Sequence, residues 1–460
     1  MHKSRAAGGA DLGRDKIGPL LWKLAMPAIV AQLVNLLYNM VDRMYIGHIA
    51  GIGRDALTGV GVCLPVIMVI SAFAALVSMG GAPRASIMMG RGDKEQAESI
   101  LGNCTTMLIG IAVLLTLAVS VFGRDILLAF GASQTTIVHA WEYMRIYALG
   151  TLFVQLALGL NAFINAQGFA ATGMMTVVIG AVCNFVLDPL LIFGLDMGVR
   201  GAALATILSQ AVSCVWILCF LTGKKSHLRI RRCNLRLRRS VFLPCLALGL
   251  APFIMQFTES VLSVCFNVSL LRYGGDIAVG AMTILSSVMQ FSMLPLQGLT
   301  QGAQPIISFN YGAGRFGRVK QTFWLLLKCT MTYSAFIWIL CMATPQLFIG
   351  IFTGDAALGQ FTRWAMRIYM AASLIFSIQI ACQQTFIALG RSRASVFLAL
   401  LRKVILLIPL IFILPQLLSD KIFAVFLAEP VADVIAVTVT ALLFTREYRR
   451  LPADTEEERT

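Results

Sequence analysis

Apolar residues in this chain run in long blocks, with polar residues gathered into short breaks between them. The first block, from Ile17 to about Ile46, is already longer than the apolar core of a signal peptide, so it is expected to persist as a membrane span. Crossing a bilayer as a helix takes about 20 mostly apolar residues. With glycine, proline and charge clusters as punctuation, the pattern predicts twelve spans. They lie roughly at 17–47, 56–83, 97–122, 136–166, 172–194, 199–222, 241–272, 277–306, 319–344, 362–388, 395–417 and 422–445. The fold class expected is an all-α integral membrane protein.

Composition agrees and excludes a soluble globule. Of 460 residues 58% are hydrophobic and 13% charged, against about 25% charged in soluble domains. The net charge of +15 changes the picture only through its placement. Lys and Arg sit in short loops beside apolar runs, as the positive-inside rule requires, which argues against a nucleic-acid partner. Arg91 and Lys94, then Arg315, Arg318 and Lys320, then Arg391 and Arg393 fall in even-numbered loops, so both termini are expected in the cytoplasm. The loop from Gly223 to Ser240 carries Lys224, Lys225, Arg229, Arg231, Arg232, Arg236, Arg238 and Arg239. It reads as a topology anchor, or as a contact for anionic lipid. The expected organisation is a tail at 1–16, a six-helix lobe at 17–222, a basic linker at 223–240, a second lobe at 241–445 and a tail at 446–460.

The halves repeat one another. Arg145-Ile146-Tyr147 recurs as Arg367-Ile368-Tyr369, 222 residues on, and Ala166-x-Gly168 recurs as Ala388-x-Gly390 at the same spacing. Asp55-x-x-x-Gly59 and Gly81-Ala82 recur as Asp276-x-x-x-Gly280 and Gly302-Ala303, shifted by 221. With six spans each, the halves start on the same side of the membrane and are parallel repeats about a pseudo-two-fold axis along the membrane normal, suited to alternating access around a central cavity.

Ionisable side chains inside spans are costly and often serve transport. Five acids qualify: Asp42, Asp188, Glu259, Glu429 and Asp433. Asp42 lies roughly 8 Å from the outer end of span one, and Asp188 sits at a similar depth in span five. Asn184 shares a helix face with Asp188, and Thr206 in span six lies at about the same level. Two carboxylates, an amide and a hydroxyl can ligate a hard cation such as Na+, and two nearby carboxylates can equally hold a proton. Asn35, Tyr38, Asn39 and Asp42 trace a polar stripe on span one, and Asn161 adds an amide on span four. Pro189 follows Asp188 directly and Pro27 lies fifteen residues before Asp42, and each removes a backbone bond and bends or breaks its helix, so span one could bend as the site fills. The second half shows Gln256 with Glu259, Gln379 with Gln383 and Glu429 with Asp433, each pair on one helix face and expected to line a polar cavity. It has no copy of the Asp42 and Asp188 pair, so functional asymmetry is expected, with Glu259 gating, receiving protons or contacting substrate.

Ala25-Met26-Pro27 opening span one, Gly90-Arg91-Gly92-Asp93 after span two, and Asn184-x-x-x-Asp188-Pro189 in span five resemble the bacterial multidrug and toxic compound extrusion transporters. Gln301-Gly302-x-Gln304-Pro305 and Glu429-Pro430-x-x-Asp433 are similar to markers of the subgroup exporting cationic drugs. The resemblance covers nearly the whole chain. It implies antiport, at the bacterial inner membrane, of an amphipathic, often cationic small molecule against Na+ or H+ by a functional monomer with no other cofactor. Its first-lobe cation site corresponds to Asp42, Asn184, Asp188 and Thr206, its substrate contacts to Asn35, Tyr38 and Asn161, and its bending point to Pro27. An acid that some relatives carry on span seven corresponds to Glu259, whereas an acid on span ten is replaced by glutamines.

The nearest alternative is a lipid or lipid-linked oligosaccharide flippase, which should line its cavity with Arg or Lys where this sequence shows acids. An intramembrane enzyme lacks support, because no H-E-x-x-H, G-x-S-x-G or C-x-x-C occurs and the four histidines are scattered. No nucleotide-binding G-x-x-x-x-G-K-[ST] appears either, which disfavours direct coupling to ATP within this chain.

Overall fold

A computed structural model of the chain describes residues 9–49 and 53–452. Within hydrocarbon a backbone must satisfy its own hydrogen bonds, and the described residues accordingly form helices and no strand. The first half comprises α1 (Ile17–Gly47), α2 (Gly53–Gly90), α3 (Lys94–Ala129), α4 (Thr136–Leu149), α5 (Thr151–Ala166), α6 (Ala170–Pro189) and α7 (Gly198–Thr222). The second comprises α8 (Arg239–Gly312), α9 (Phe316–Ala343), α10 (Pro345–Phe352), α11 (Ala356–Tyr369), α12 (Ser373–Ala388), α13 (Ser392–Leu400), α14 (Ile408–Leu417) and α15 (Lys421–Arg450).

These elements make twelve crossings in two six-helix lobes. At 74 residues, α8 would be about 110 Å long if straight, several times the hydrocarbon thickness. It holds two crossings, parted at Gly275, whose φ of 65° only glycine adopts freely. Spans four and ten, expected as single helices, are each bent. α4 meets α5 at 59° and α11 meets α12 at 50°. The first bend falls at Gly150 and the second at Met370 to Ala372, so the bends are themselves a copy of one another. α6 continues into a π-helical turn, Leu190–Gly194, and α13 joins α14 through another, Leu401–Leu407.

The 222-residue repeat extends to individual hydrogen bonds. Ser86 Oγ donates to Ala166 O at 2.8 Å, and Ser308 Oγ donates to Ala388 O at 2.8 Å. Asn161 Nδ2 donates to Gly173 O at 3.2 Å, and Gln383 Nε2 donates to Ser395 O at 3.0 Å. Equivalent polar side chains therefore staple equivalent helix pairs in both lobes.

The lobes meet backbone to backbone. A Cβ on Gly249 of α8 would overlap Leu76 O of α2, and one on Gly90 would overlap Phe309 O. Neither contact can relax through a side chain. Gly249→Ala is thus expected to cost about 1–3 kcal/mol through overpacking, read as a lower unfolding temperature in detergent. An unchanged temperature would mean that this approach is not held in solution.

At the end of the bundle carrying the basic loops, the segment before α1 ties the lobes together. Ala10 N donates to Gly168 O of the first half at 3.3 Å. From the second half, Asn310 Nδ2 donates to Leu12 O at 2.8 Å, Arg315 Nη1 to Gly13 O at 2.7 Å and Arg318 Nη2 to Asp15 O at 2.7 Å. The loop between α7 and α8 folds onto the same end. Buried Glu98 accepts from Arg231 Nε at 2.8 Å, and Asn103 Oδ1 accepts from Arg238 N at 2.7 Å.

Candidate cation and substrate site

Three helices of the first lobe bring the acids together. Asn184 and Asp188 lie one turn apart on α6, and the amide Nδ2 donates to Asp188 Oδ1 at 3.2 Å. Pro189 cannot continue the backbone ladder, and the helix widens immediately afterwards into its π turn. Such turns recur at functional sites. Across from it, Asp42 of α1 is buried, and its carboxyl group comes within hydrogen-bonding reach of Asp188. Thr206 of α7 is buried as well and donates to Ala202 O at 3.0 Å. The hydroxyls of Tyr38 and Tyr143 lie beside it.

All four residues expected at the cation site are therefore in one cluster. Asp188 is 0% exposed, and Asp42 Oδ1 and Asp188 Oδ2 are buried without a hydrogen-bond partner. Two carboxylates facing one another away from water repel strongly unless a proton or a cation lies between them. The oxygen-only donor set fits a hard monovalent cation, and the paired carboxyls fit a shared proton.

Tyr143 and Tyr147 stack behind the acids, with centroids 6.1 Å apart and planes 16° from parallel. Sequence reasoning missed Tyr143. Tyr147 was visible only as the last residue of the Arg-Ile-Tyr repeat, and its copy, Tyr369, stands beside the charged cluster of the second lobe.

The remaining first-lobe candidates are more dispersed. Asn35 is exposed on α1, and Asn39 Nδ2 donates back to Asn35 O at 2.6 Å. Asn161 is half-buried and engaged with Gly173, while its Oδ1 has no partner. α1 stays helical through Pro27.

The second lobe corrects the expectation of a polar cavity for two of its three acids, Glu429 and Asp433, which are buried against a base. Arg402 Nη2 donates to Glu429 Oε1 at 2.8 Å and Arg402 Nε to Asp433 Oδ1 at 2.7 Å, all three side chains being buried. The guanidinium carbon also lies 4.1 Å from the centre of the Phe376 ring. Next to it Lys403, buried, pairs with Glu259 and donates to Met255 O at 2.9 Å. Glu259 itself is 63% exposed. Both cations lie in the π turn after α13, whose wider winding lets consecutive residues both bury. The sequence signal for this network is Arg402-Lys403 within the apolar run from Val396 to Leu414, two bases that intramembrane acids alone do not reveal.

The sequence pattern of the MatE family matches residues 27–190 and 252–413, one stretch in each lobe. The chain belongs to the MatE family. It is thus a multi-pass membrane transporter, built on the twelve-helix, two-lobed fold of that family. The multidrug export protein MepA of Staphylococcus saprophyticus is 24% identical over 430 residues, covering 92% of this chain and 93% of that protein. MepA of Staphylococcus aureus is 24% identical over 443 residues, covering 94% of each. Among solved structures, the MATE multidrug transporter DinF-BH in complex with rhodamine 6G is 32% identical, with a TM-score of 0.88 over 96% of this chain and 98% of that one. An outward-facing MATE family transporter is 21% identical, with a TM-score of 0.89 over 96% and 98%.

Proposed function

We propose that this MatE protein exports amphipathic, often cationic small molecules across the bacterial cytoplasmic membrane in exchange for Na+ or H+, by alternating access of its two lobes. The observation that carries the reading is the facing pair Asp42 and Asp188 with its two unpartnered buried oxygens. An incoming cation or proton compensates the pair, with Asn184 orienting Asp188 and Thr206 completing the oxygen set. Loss of the cation leaves two repelling charges, and a cationic substrate near Asn35, Tyr38 and Asn161 is then favoured. Ion and substrate exclude one another, which is the condition for exchange. α1 carries both Asp42 and Pro27 and is the element through which occupancy of the acids reaches the substrate face. Names of relatives support drug-like substrates, since the MepA proteins are called multidrug export proteins and DinF-BH was solved with rhodamine 6G.

The basic loops, both tails and the linker at 223–240 lie on the cytoplasmic side in this reading, and the functional unit is a monomer. A lipid-linked flippase gains nothing from Arg402 and Lys403, because three acids already neutralise these two bases.

The test is accumulation of rhodamine 6G against its own gradient in proteoliposomes, with Na+ and pH gradients imposed separately. Uphill transport driven by one gradient is expected and identifies the ion. Movement only down the substrate gradient would indicate a channel, and no movement of the dye would redirect the search to lipid-linked substrates.

A further inference from the structure

A groove of about 860 Å³ is cut into the surface of the second lobe, within the size range of small-molecule sites. No residue of the first lobe lines it, so it belongs to the flank of the second lobe and not to the space between the two. One wall is Ile375 of α12, and the other is a single face of α15 running from Val437 to Arg450, about 20 Å along the helix. Its chemistry changes along that length. The stretch at Val437 and Leu442 is apolar, and Leu442 is 67% exposed. Thr438 and Thr445 add no free polarity, because each hydroxyl donates to its own helix backbone at 2.7 Å. At the end of α15 the lining becomes Arg446, Arg449 and Arg450.

These three cations are exposed, and none has an acid partner among the described residues. Glu447, in their midst, is engaged by Arg391 at 2.6 Å instead. An apolar trough ending in three guanidiniums with no acid partner among the described residues is complementary to an amphipathic anion, with its chain in the trough and its charge at the rim. We propose that the groove is a binding site for an anionic phospholipid, with an acyl chain against Ile375, Val437 and Leu442 and the phosphate ester on Arg446, Arg449 and Arg450.

The tail of the chain does not suit the groove. Its acids, Asp454 and Glu456 to Glu458, are accompanied by no apolar side chain larger than that of Ala453. Lys320 Nζ also donates to Leu451 O at 3.3 Å and Pro452 O at 3.1 Å, drawing the helix exit toward α9, none of whose residues lines the groove.

The test uses the full chain, purified in detergent and stripped of lipid, with bound phosphatidylglycerol and phosphatidylcholine counted by native mass spectrometry and followed by thermal unfolding. Wild type is expected to hold phosphatidylglycerol at least about tenfold more tightly than phosphatidylcholine. Replacing Arg446, Arg449 and Arg450 together by Gln is expected to reduce phosphatidylglycerol to the level of phosphatidylcholine without lowering the unfolding temperature measured in phosphatidylcholine. Leu442→Trp, which fills the trough, is expected to weaken both lipids and keep the headgroup preference. It carries the test alone if the triple variant does not fold, and unchanged lipid retention would then overturn the proposal. Equal binding of the two lipids by wild type would overturn it, as would a preference that survives in the triple variant. So would competition by glycerol phosphate as effective as that by phosphatidylglycerol, which would leave a phosphate site with no role for the trough. Binding that emerges only on deletion of residues 453–460 would overturn it too, by making the tail the occupant.

Discussion

Asp42→Asn is expected to reduce gradient-driven export of rhodamine 6G to the leak rate of empty vesicles, and Asp188→Asn to do the same. Each amide keeps the size and hydrogen-bonding capacity of the acid but leaves a single carboxylate, which no longer needs a cation to offset its neighbour. The protein should remain folded. Removing one of two facing buried charges relieves their repulsion, so the unfolding temperature is expected to hold or rise while transport is lost. That combination separates an ion site from a structural salt bridge, for which the same substitution would lower stability. Asn184→Ala, which removes only the 3.2 Å bond to Asp188 Oδ1, is expected to weaken coupling without abolishing it.

Arg402→Met is expected to be the most destabilising single change in the second lobe. Glu429 and Asp433 are buried and share this one guanidinium. Removing it leaves both carboxylates without their direct partner, at a cost of about 3–5 kcal/mol. The remedy follows from the same reasoning. Combining Arg402→Met with Glu429→Gln and Asp433→Asn is expected to recover most of the lost stability, because a neutral, well-packed set can equal a buried ion network. Lys403→Met should cost less, since its partner Glu259 is largely exposed and can be solvated. Unfolding temperatures of these variants in one detergent decide the matter, and equal losses for Arg402→Met and the triple variant would show that the charges are not the cause.

The sequence was most informative where the membrane imposes strict rules. Apolar block length marked all twelve crossings, because a helix in hydrocarbon has a fixed minimum length. The 222-residue spacing foretold a repeat that persists down to the Ser86 and Ser308 bonds. Asp42, Asn184, Asp188 and Thr206 could be assigned to one layer because helical rise converts position into depth, and the structure brings all four together.

Three features escaped for physical reasons. The bends near Gly150 and Ala372 do not interrupt the apolar pattern, so hydropathy is blind to them. The π turn at Leu401–Leu407 changes which residues face inward, and no residue type marks it. The pairing of Glu429 and Asp433 with Arg402 joins spans eleven and twelve, and it is legible only when intramembrane cations are counted together with the acids. The two lobes consequently differ in their buried charges. Among the described residues the first lobe has two facing acids that form no salt bridge, whereas the second supplies its own cations.

The central claim is that substrate and coupling ion compete through the pair Asp42 and Asp188. The most direct test is to add rhodamine 6G to purified protein in weakly buffered detergent, and to follow proton release together with displacement of radioactive sodium. Release of protons or of sodium from wild type, absent in Asp42→Asn and Asp188→Asn, is the predicted result. Dye binding to wild type that displaces neither ion, or equal release from the variants, would contradict the account.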